Sequence, residues 1–208
     1  VLKIRLVSDF LDYYDHWFDW EGHIFERLAH RGMSRRVALE YMSYLGFDVP
    51  VFGTVKELSQ RPGLVNVVVY TDEMAHCGEG KLMMPLARAI KQYPDNLATE
   101  YIPVSHNVNR GVSWRYLQIG SKYVWLKYES DDWRSNFGNV KISILGIIGD
   151  GYHPKIRLPL FAIDFIPANH VYAIDFNTAP QIRGTGIENI LPAREAAEVI
   201  KRAVEEFR

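Results

Sequence analysis

Asp164, Asp175 and Asn177 fall within the stretch Leu160-Phe-Ala-Ile-Asp-Phe-Ile-Pro-Ala-Asn-His-Val-Tyr-Ala-Ile-Asp-Phe-Asn177. Two apolar runs flank a short polar turn, which is the pattern of a β-hairpin. Side chains alternate between faces along a strand, so Ile163 and Phe165 share one face of the first run and Ile174 and Phe176 one face of the second. Matching those faces gathers Asp164, Asp175 and Asn177 on the opposite side, and one register sets Asp164 directly across from Asp175. Like charges so placed repel. Two close carboxylates share a proton or take a cation between them. Oxygen-only donors suit Mg²⁺ or Mn²⁺ better than Zn²⁺, and Mg²⁺ sites of this kind usually keep phosphate oxygens as their other ligands. The chemistry suggested is therefore that of a metal-bound nucleotide. The competing reading is a solvent-facing strand pair whose charges are diluted by water. Gly184 and Gly186 in the following Thr178–Glu188 segment weigh against it, because they permit a tight backbone path beside a ligand.

A second candidate is His76-Cys-Gly-Glu-Gly-Lys81. Gly78 and Gly80 let backbone N–H groups approach phosphate, and a helix expected to start at Leu82 would favour an anion at its N-terminus. It is not a Walker A loop: Ala75 stands at the first glycine position and Leu82 follows Lys81. His76 reads as a loop polar group and Cys77 as an ordinary small residue. The remaining histidines lack metal-ligand spacing, and no Gly-x-Ser-x-Gly elbow is present. Arg115, Lys127, Arg134 and Arg183 fall on or beside the sheet face. They serve either as charge balance for the acids or as a clamp on a transferring phosphoryl group. Trp114, Trp125 and Trp133 read as packing residues rather than stacking platforms for bases.

These residues need a scaffold, and the composition allows one. The 208 residues are 48% hydrophobic and 24% charged with a formal net charge of −1, as in an ordinary soluble globular protein. No basic field exists to recruit nucleic acid, and none is expected as a partner. A single cysteine excludes an internal disulfide framework and suggests a cytoplasmic setting. No apolar run is long enough for a membrane span. Val1–Val7 alternates in the manner of a first strand, not of a signal peptide. Asp12–Trp20 is rich in aromatics and aspartates, and reads as a surface segment packed by its rings or as a wall for substrate. Ser34 caps an expected helix over Arg35–Leu45 that Gly46 ends, and Pro50 keeps Phe47–Val51 extended. Val65–Tyr70 is an expected strand, Leu82–Gln92 a helix and Thr99–Pro103 a short strand. From Ser113 the pattern changes to strands at Trp114–Ile119, Lys122–Glu129, Val140–Ile148, Pro159–Ile166 and Val171–Asn177. A closing amphipathic helix is expected from about Pro192 to Phe207.

Several of these segments resemble a known superfamily. Asp175-Phe-Asn-Thr-Ala-Pro180 followed by Gly184-Thr-Gly-Ile-Glu188 resembles the closing motif of ATP-grasp enzymes, Glu-x-Asn-x-x-Pro-Gly. The resemblance implies Asp164, Asp175 and Asn177 as metal ligands. Trp133-Arg-Ser-Asn136 resembles the Phe-Arg-Ser-Asn segment of the RimK-like branch, the ribosomal-protein glutamate ligases, and Lys127-Tyr-Glu stands where that branch has Lys-Arg-Gln. Glu100-Tyr-Ile102 resembles the strand and hinge that hold adenine and ribose. Trp114-Arg-Tyr116 resembles a segment whose basic residue lies near the substrate, and Ser34–Pro50 the entry to the N-terminal subdomain. The similarity spans about residues 34–190 and is strongest in the last third. The chain departs from the pattern in three places. Tyr70 occupies the position of a phosphate-binding lysine, the helix usually found before the first metal acid is not evident, and Gln181 replaces a glycine. Lys81 and Lys127 are the candidate substitutes for that lysine.

The resemblance implies an α+β, ATP-grasp-like fold of two small subdomains, with an antiparallel sheet carrying the metal site. Residues 33–103 and 104–208 would form the subdomains and residues 1–32 a reduced docking segment. It further implies ATP and Mg²⁺ (or Mn²⁺) as cofactors, held in part by Gly78, Gly80, Lys81, Glu100, Tyr101 and Ile102. Arg115, Lys127 and Arg134 would be the catalytic cations. The implied activity is an ATP-dependent carboxylate–amine ligase that forms an amide through an acyl phosphate, on an amino acid or peptide. A non-catalytic nucleotide- or partner-binding module and a small-molecule kinase are the alternatives.

Overall fold

A computed structural model describes residues 3–5, 17–19, 33–75, 78–104, 109–178 and 180–207. Strands β1 (Lys3–Arg5) and β2 (Trp17–Asp19) pair antiparallel. The rest of the Asp12–Trp20 segment, like His76 and Cys77, lies outside the described residues.

Helix α1 (Arg35–Tyr44) begins where expected, with the Val37 amide donating to Ser34 Oγ at 3.3 Å. Gly46 then leaves the helix with φ +82°, a conformation that glycine adopts without steric cost. The four-stranded sheet follows, in the order β3 (Phe52–Thr54), β6 (Leu97–Glu100), β4 (Asn66–Tyr70) and β5 (Lys81–Pro85), with all neighbours antiparallel. The short helix α2 (Val55–Leu58) was not legible as such. Thr54 and Glu57 close a capping box, the Thr54 amide donating to Glu57 at 2.7 Å and the Glu57 amide to Thr54 at 3.2 Å.

The expected helix over Leu82–Gln92 is corrected in its first half. Lys81–Pro85 is strand β5, and helix α3 starts only at Leu86 and runs to Gln92. Pro85 pushes Met84 into an extended backbone, so a helix cannot run through them, and pairing with β4 takes over. The glycine loop therefore joins two strands, and no helix N-terminus follows Lys81.

The larger sheet has five antiparallel strands in the order β11 (Val171–Asn177), β10 (Leu160–Pro167), β7 (Gly111–Ile119), β8 (Lys122–Ser130) and β9 (Val140–Asp150). All five were expected as strands. Helix α4 (Ala193–Glu206) buries Ala196, Val199, Ile200, Ala203 and Val204. Ala38, Leu39 and Met42 of α1 belong to the core of this sheet, with Leu117, Leu126, Phe161 and Phe176. The smaller sheet buries Val67, Val69 and Ala98 against Val55 and Leu58 of α2 and Ala89 of α3. Alternation turns Val68 and Tyr70 to its other face, toward Trp133 and Tyr101. The fold is thus mixed α and β, as expected, and its two larger sheets are antiparallel throughout. Among the described residues no helix is long and apolar enough to cross a membrane.

Candidate functional site

An open cavity of about 750 Å³, counting solvent at its mouth, lies between the two sheets. Val68 and Tyr70 of β4, Lys81 of β5, and Thr99 and Glu100 of β6 form one wall, continued by Tyr101 and Ile102. Asp164 and Ile166 of β10 and Ile174 and Asp175 of β11 form the other. Trp133, Arg134, Ser135 and Asn136, from the β8–β9 connection, also line it.

Asp164 pairs directly with Asp175 in the β10–β11 ladder, in the register that alternation had suggested. The repulsion between them is met by protein cations. Arg115, opposite Asp164 on β7, donates from Nε and Nη2 to the two carboxylate oxygens at 2.6 and 2.8 Å. Its Nη1 donates to the Tyr128 hydroxyl at 3.2 Å, and its guanidinium lies 4.8 Å from the Tyr128 ring centroid. Arg35, the first residue of α1, forms an ion pair with Asp175 and donates to the Ile174 carbonyl at 3.2 Å. Burial works to lower the pKa of both guanidinium groups, but the aspartates outweigh it and hold both above the ordinary value. Burial works to raise the Asp175 carboxyl; Arg35 and then Lys81 more than offset it and keep it below the usual range. Among the described residues, the buried Arg35 Nε finds no hydrogen-bond partner.

Lys81 is the residue directly across from Tyr70 in the β4–β5 ladder. It is partly exposed through the cavity yet deeply surrounded by protein, and burial, aided by Arg35, pushes its ammonium down to about 8. Burial also raises the Tyr70 hydroxyl, which shares a hydrogen bond with Thr99.

Arg134 is held by Asp132, with Nε and Nη2 donating at 2.7 and 2.9 Å, and lies 3.5 Å from the Phe137 ring centroid. Its Nη1 also donates to the Gly78 carbonyl at 3.2 Å, which ties the glycine loop to the segment over the cavity. Gly78 has φ +78°, and a Cβ there would meet Asn136 Oδ1 at 3.0 Å. The left-handed backbone favours glycine here, and a side chain would also need Asn136 to shift slightly.

Of the expected site residues, Lys81, Glu100, Tyr101, Ile102, Arg134, Asp164 and Asp175 all line the cavity. Arg115 sits behind Asp164. Asn177 follows two residues after Asp175 on the same face, pairs with Ala162, and is not in the wall. Gly78 and Gly80 are not in the wall either; Gly78 packs on the Arg134 segment and Gly80 lies against Asp72 and Ala75. Lys127 is a clear displacement. It pairs with Trp114, one residue from Arg115, and so points from the opposite face of the sheet. There it forms an ion pair with Glu129 at 3.0 Å. Sequence reasoning missed Arg35. A signal existed: a cation in the first turn of a helix is disfavoured by the helix dipole unless a partner holds it.

Asp164, Asp175 and Asn177 fit a magnesium ion by donor chemistry, being oxygen-only and on one face. Yet both carboxylates are already closed by guanidinium groups, and Arg35, Arg115 and Lys81 outnumber Asp164 and Asp175. A bare divalent cation meets a local positive excess, whereas one carried by a polyphosphate does not. Among the described residues no group of three or more His, Cys, Asp or Glu is placed to hold a metal.

No protein-family model matches the sequence, and no curated protein matches it. Solved structures do match. The ATP-grasp ligase PsnB, complexed with a phosphomimetic variant of its minimal precursor, Mg and ADP, aligns with a TM-score of 0.56 at 9% identity, over 84% of this chain and 61% of that one. D-alanine–D-alanine ligase from Bacillus anthracis, complexed with ATP, aligns with a TM-score of 0.51 at 9% identity, over 89% of this chain and 75% of that one. The chain therefore spans about 61% of the length of PsnB. With its two antiparallel sheets and the cavity between them, the chain has the fold of the ATP-grasp ligases.

Proposed function

We propose that the chain is an ATP-dependent carboxylate–amine ligase. The observation that carries this reading is the cavity itself, with Glu100, Tyr101 and Ile102 in its wall together with Lys81, Asp164 and Asp175. The first three suit a base and ribose, Lys81 suits a polyphosphate, and the two aspartates suit the magnesium ion carried by it. The ligands of the structural neighbours, ATP in one case and ADP with Mg in the other, support the assignment. Asp164, Asp175 and Asn177 would hold a magnesium ion that arrives on the nucleotide and neutralises phosphate charge when bound.

In the proposed reaction a substrate carboxylate oxygen attacks the γ-phosphorus, the bond to the β-phosphate oxygen breaks, and ADP leaves. An amine then attacks the acyl carbon, phosphate leaves, and an amide remains. Lys81 and Arg134 would orient the phosphates, and Arg115 would fix Asp164, so that the contribution of the chain is positioning and charge neutralisation. A peptide or amino acid is the proposed substrate; the structural neighbours include D-alanine–D-alanine ligase and PsnB with a variant of its minimal precursor. The likeness of Trp133–Asn136 to a segment of the RimK-like branch supports a kinship with that branch in this reading, and the cytoplasm is the proposed setting.

Calorimetric titration with ATP and Mg²⁺, followed by an ADP-release screen against amino acids and peptides, tests the assignment. Heat of binding together with ADP and phosphate release is expected. Silence in both assays sinks it. A second reading, nucleotide binding without catalysis, is favoured by Tyr70 and by the arginine-closed carboxylates. Binding without turnover across the screen would select it. A stable phosphoester in place of free phosphate would indicate a kinase.

A further inference from the structure

The two ion pairs at the inner end of the cavity are not alike. Arg115 grips Asp164 with two nitrogens, one on each carboxylate oxygen, and its third nitrogen donates to the Tyr128 hydroxyl. Both side chains are almost withdrawn from water, at 8% and 10% exposure. A bidentate pair of this kind is strong and fixed in direction. Arg35 holds Asp175 through Nη1, which also donates to the Ile174 carbonyl. Among the described residues its buried Nε has no partner, and an unpaired buried donor works against the arrangement. The Asp175 side chain is 26% exposed and lines the cavity. Asp175 is therefore the less firmly held acid and the more open one. The Arg35 backbone is anchored separately, its amide donating to the Glu73 carbonyl at 2.9 Å, so the side chain can move without the helix. The Tyr70 ring, with its centroid 5.5 Å from the guanidinium, offers that side chain a second resting place.

We propose that Arg35 decides which form of metal the site accepts: it occupies the cation place on Asp175, keeps a free divalent ion out, and yields to one that arrives with a polyphosphate. A free ion must displace Arg35 and also faces Arg115 and Lys81. A polyphosphate brings the negative charge that offsets all three and gives the released guanidinium oxygen acceptors. Asp164 keeps Arg115 throughout and offers a metal only its remaining lone pairs. The proposal rests on the nucleotide reading above and deepens it, making metal occupancy conditional on the nucleotide. A purely structural ion pair is the competing account. Its loss loosens the fold but opens no metal site at Asp175.

The test uses Mn²⁺ alone as the probe, its binding followed by electron paramagnetic resonance, with melting temperature as a folding control. Arg35→Met is expected to bind Mn²⁺ about tenfold more tightly than wild type, or better, as removal of a neighbouring unit charge implies. The double variant Arg35→Met with Asp175→Asn is expected to lose that gain. Unchanged affinity in Arg35→Met, or a gain that survives in the double variant, overturns the proposal. Arginine side-chain NMR on wild type supplies a second measurement, which decides should Arg35→Met not fold. Mg²⁺ alone is expected to leave the Arg35 Nε–H resonance in place. Mg²⁺ with ATP is expected to move it and to leave that of Arg115. An Arg35 resonance that moves with Mg²⁺ alone, or stays when ATP and Mg²⁺ are bound, overturns the proposal. Inorganic tripolyphosphate with Mg²⁺ separates the two readings. If it binds and moves the Arg35 resonance while ATP does not bind, the nucleotide reading falls and this one stands. Binding of neither removes both.

Discussion

Arg35 reaches from the first turn of α1 to an ion pair with Asp175 on β11, and so joins the opening helix to the carboxylate hairpin. Both groups are largely withdrawn from water, at 6% and 26% side-chain exposure. Removing one partner from such a pair leaves an uncompensated charge. Arg35→Met is therefore expected to cost about 3 kcal/mol of stability in chemical denaturation. The double variant with Asp175→Asn should recover part of that loss, because the stranded carboxylate is then gone. Equal stability of Arg35→Met and wild type would show that the pair contributes nothing.

The face assignment separates two cations that sequence alone placed together. Arg134 lines the cavity, whereas Lys127 leaves from the other side of the sheet toward Glu129. Arg134→Ala is expected to lower kcat by about a hundredfold, as loss of a preorganised charge does. Lys127→Ala should leave kcat within about twofold of wild type, as substitutions outside a site generally do. A reversed ranking in steady-state assays would refute the placement.

Lys81 supplies the pH dependence. Burial, with Arg35 adding to it, brings its ammonium to about 8, so it is charged below that pH and neutral above it. Affinity for ATP should fall as pH rises through about 8, and Lys81→Arg, which stays charged, should flatten the profile. Stability runs the other way. The folded pKa lies below the ordinary 10.5, so between about 8 and 10.5 the unfolded chain binds more protons than the folded one. This group alone then makes stability rise with pH across that window. Calorimetry in buffers of different ionisation heat should detect proton uptake on ATP binding in the same range.

The charge balance of the inner end separates magnesium alone from magnesium with nucleotide. Millimolar Mg²⁺ alone is expected to leave the melting temperature unchanged, because both carboxylates are already paired. Magnesium with ATP at about a hundred times its dissociation constant should raise it by about 5–10 °C. A substantial shift with Mg²⁺ alone would show that the metal displaces the arginines unaided.

Much of the fold was legible because its signals are local. Alternation along Leu160–Asn177 supplied the strands and the register that sets Asp164 against Asp175, and Ser34 marked the start of α1. Leu82–Gln92 misled because its composition suits a helix, while the deciding facts were Pro85 and the pairing of Lys81 with Tyr70 across a turn. Side-chain partners were the least legible. A strand pattern shows which face a carboxylate takes, but that Asp175 meets Arg35 depends on how α1 packs against a strand far along the chain. The acids implied a cation from sequence, and in the structure an arginine pairs with each of them.

That substitution bears on how the protein can be handled. With an arginine on each acid of β10 and β11, the hairpin carries its own counter-ions and does not depend on a metal to hold its shape. A chelator should then silence chemistry while leaving the architecture standing.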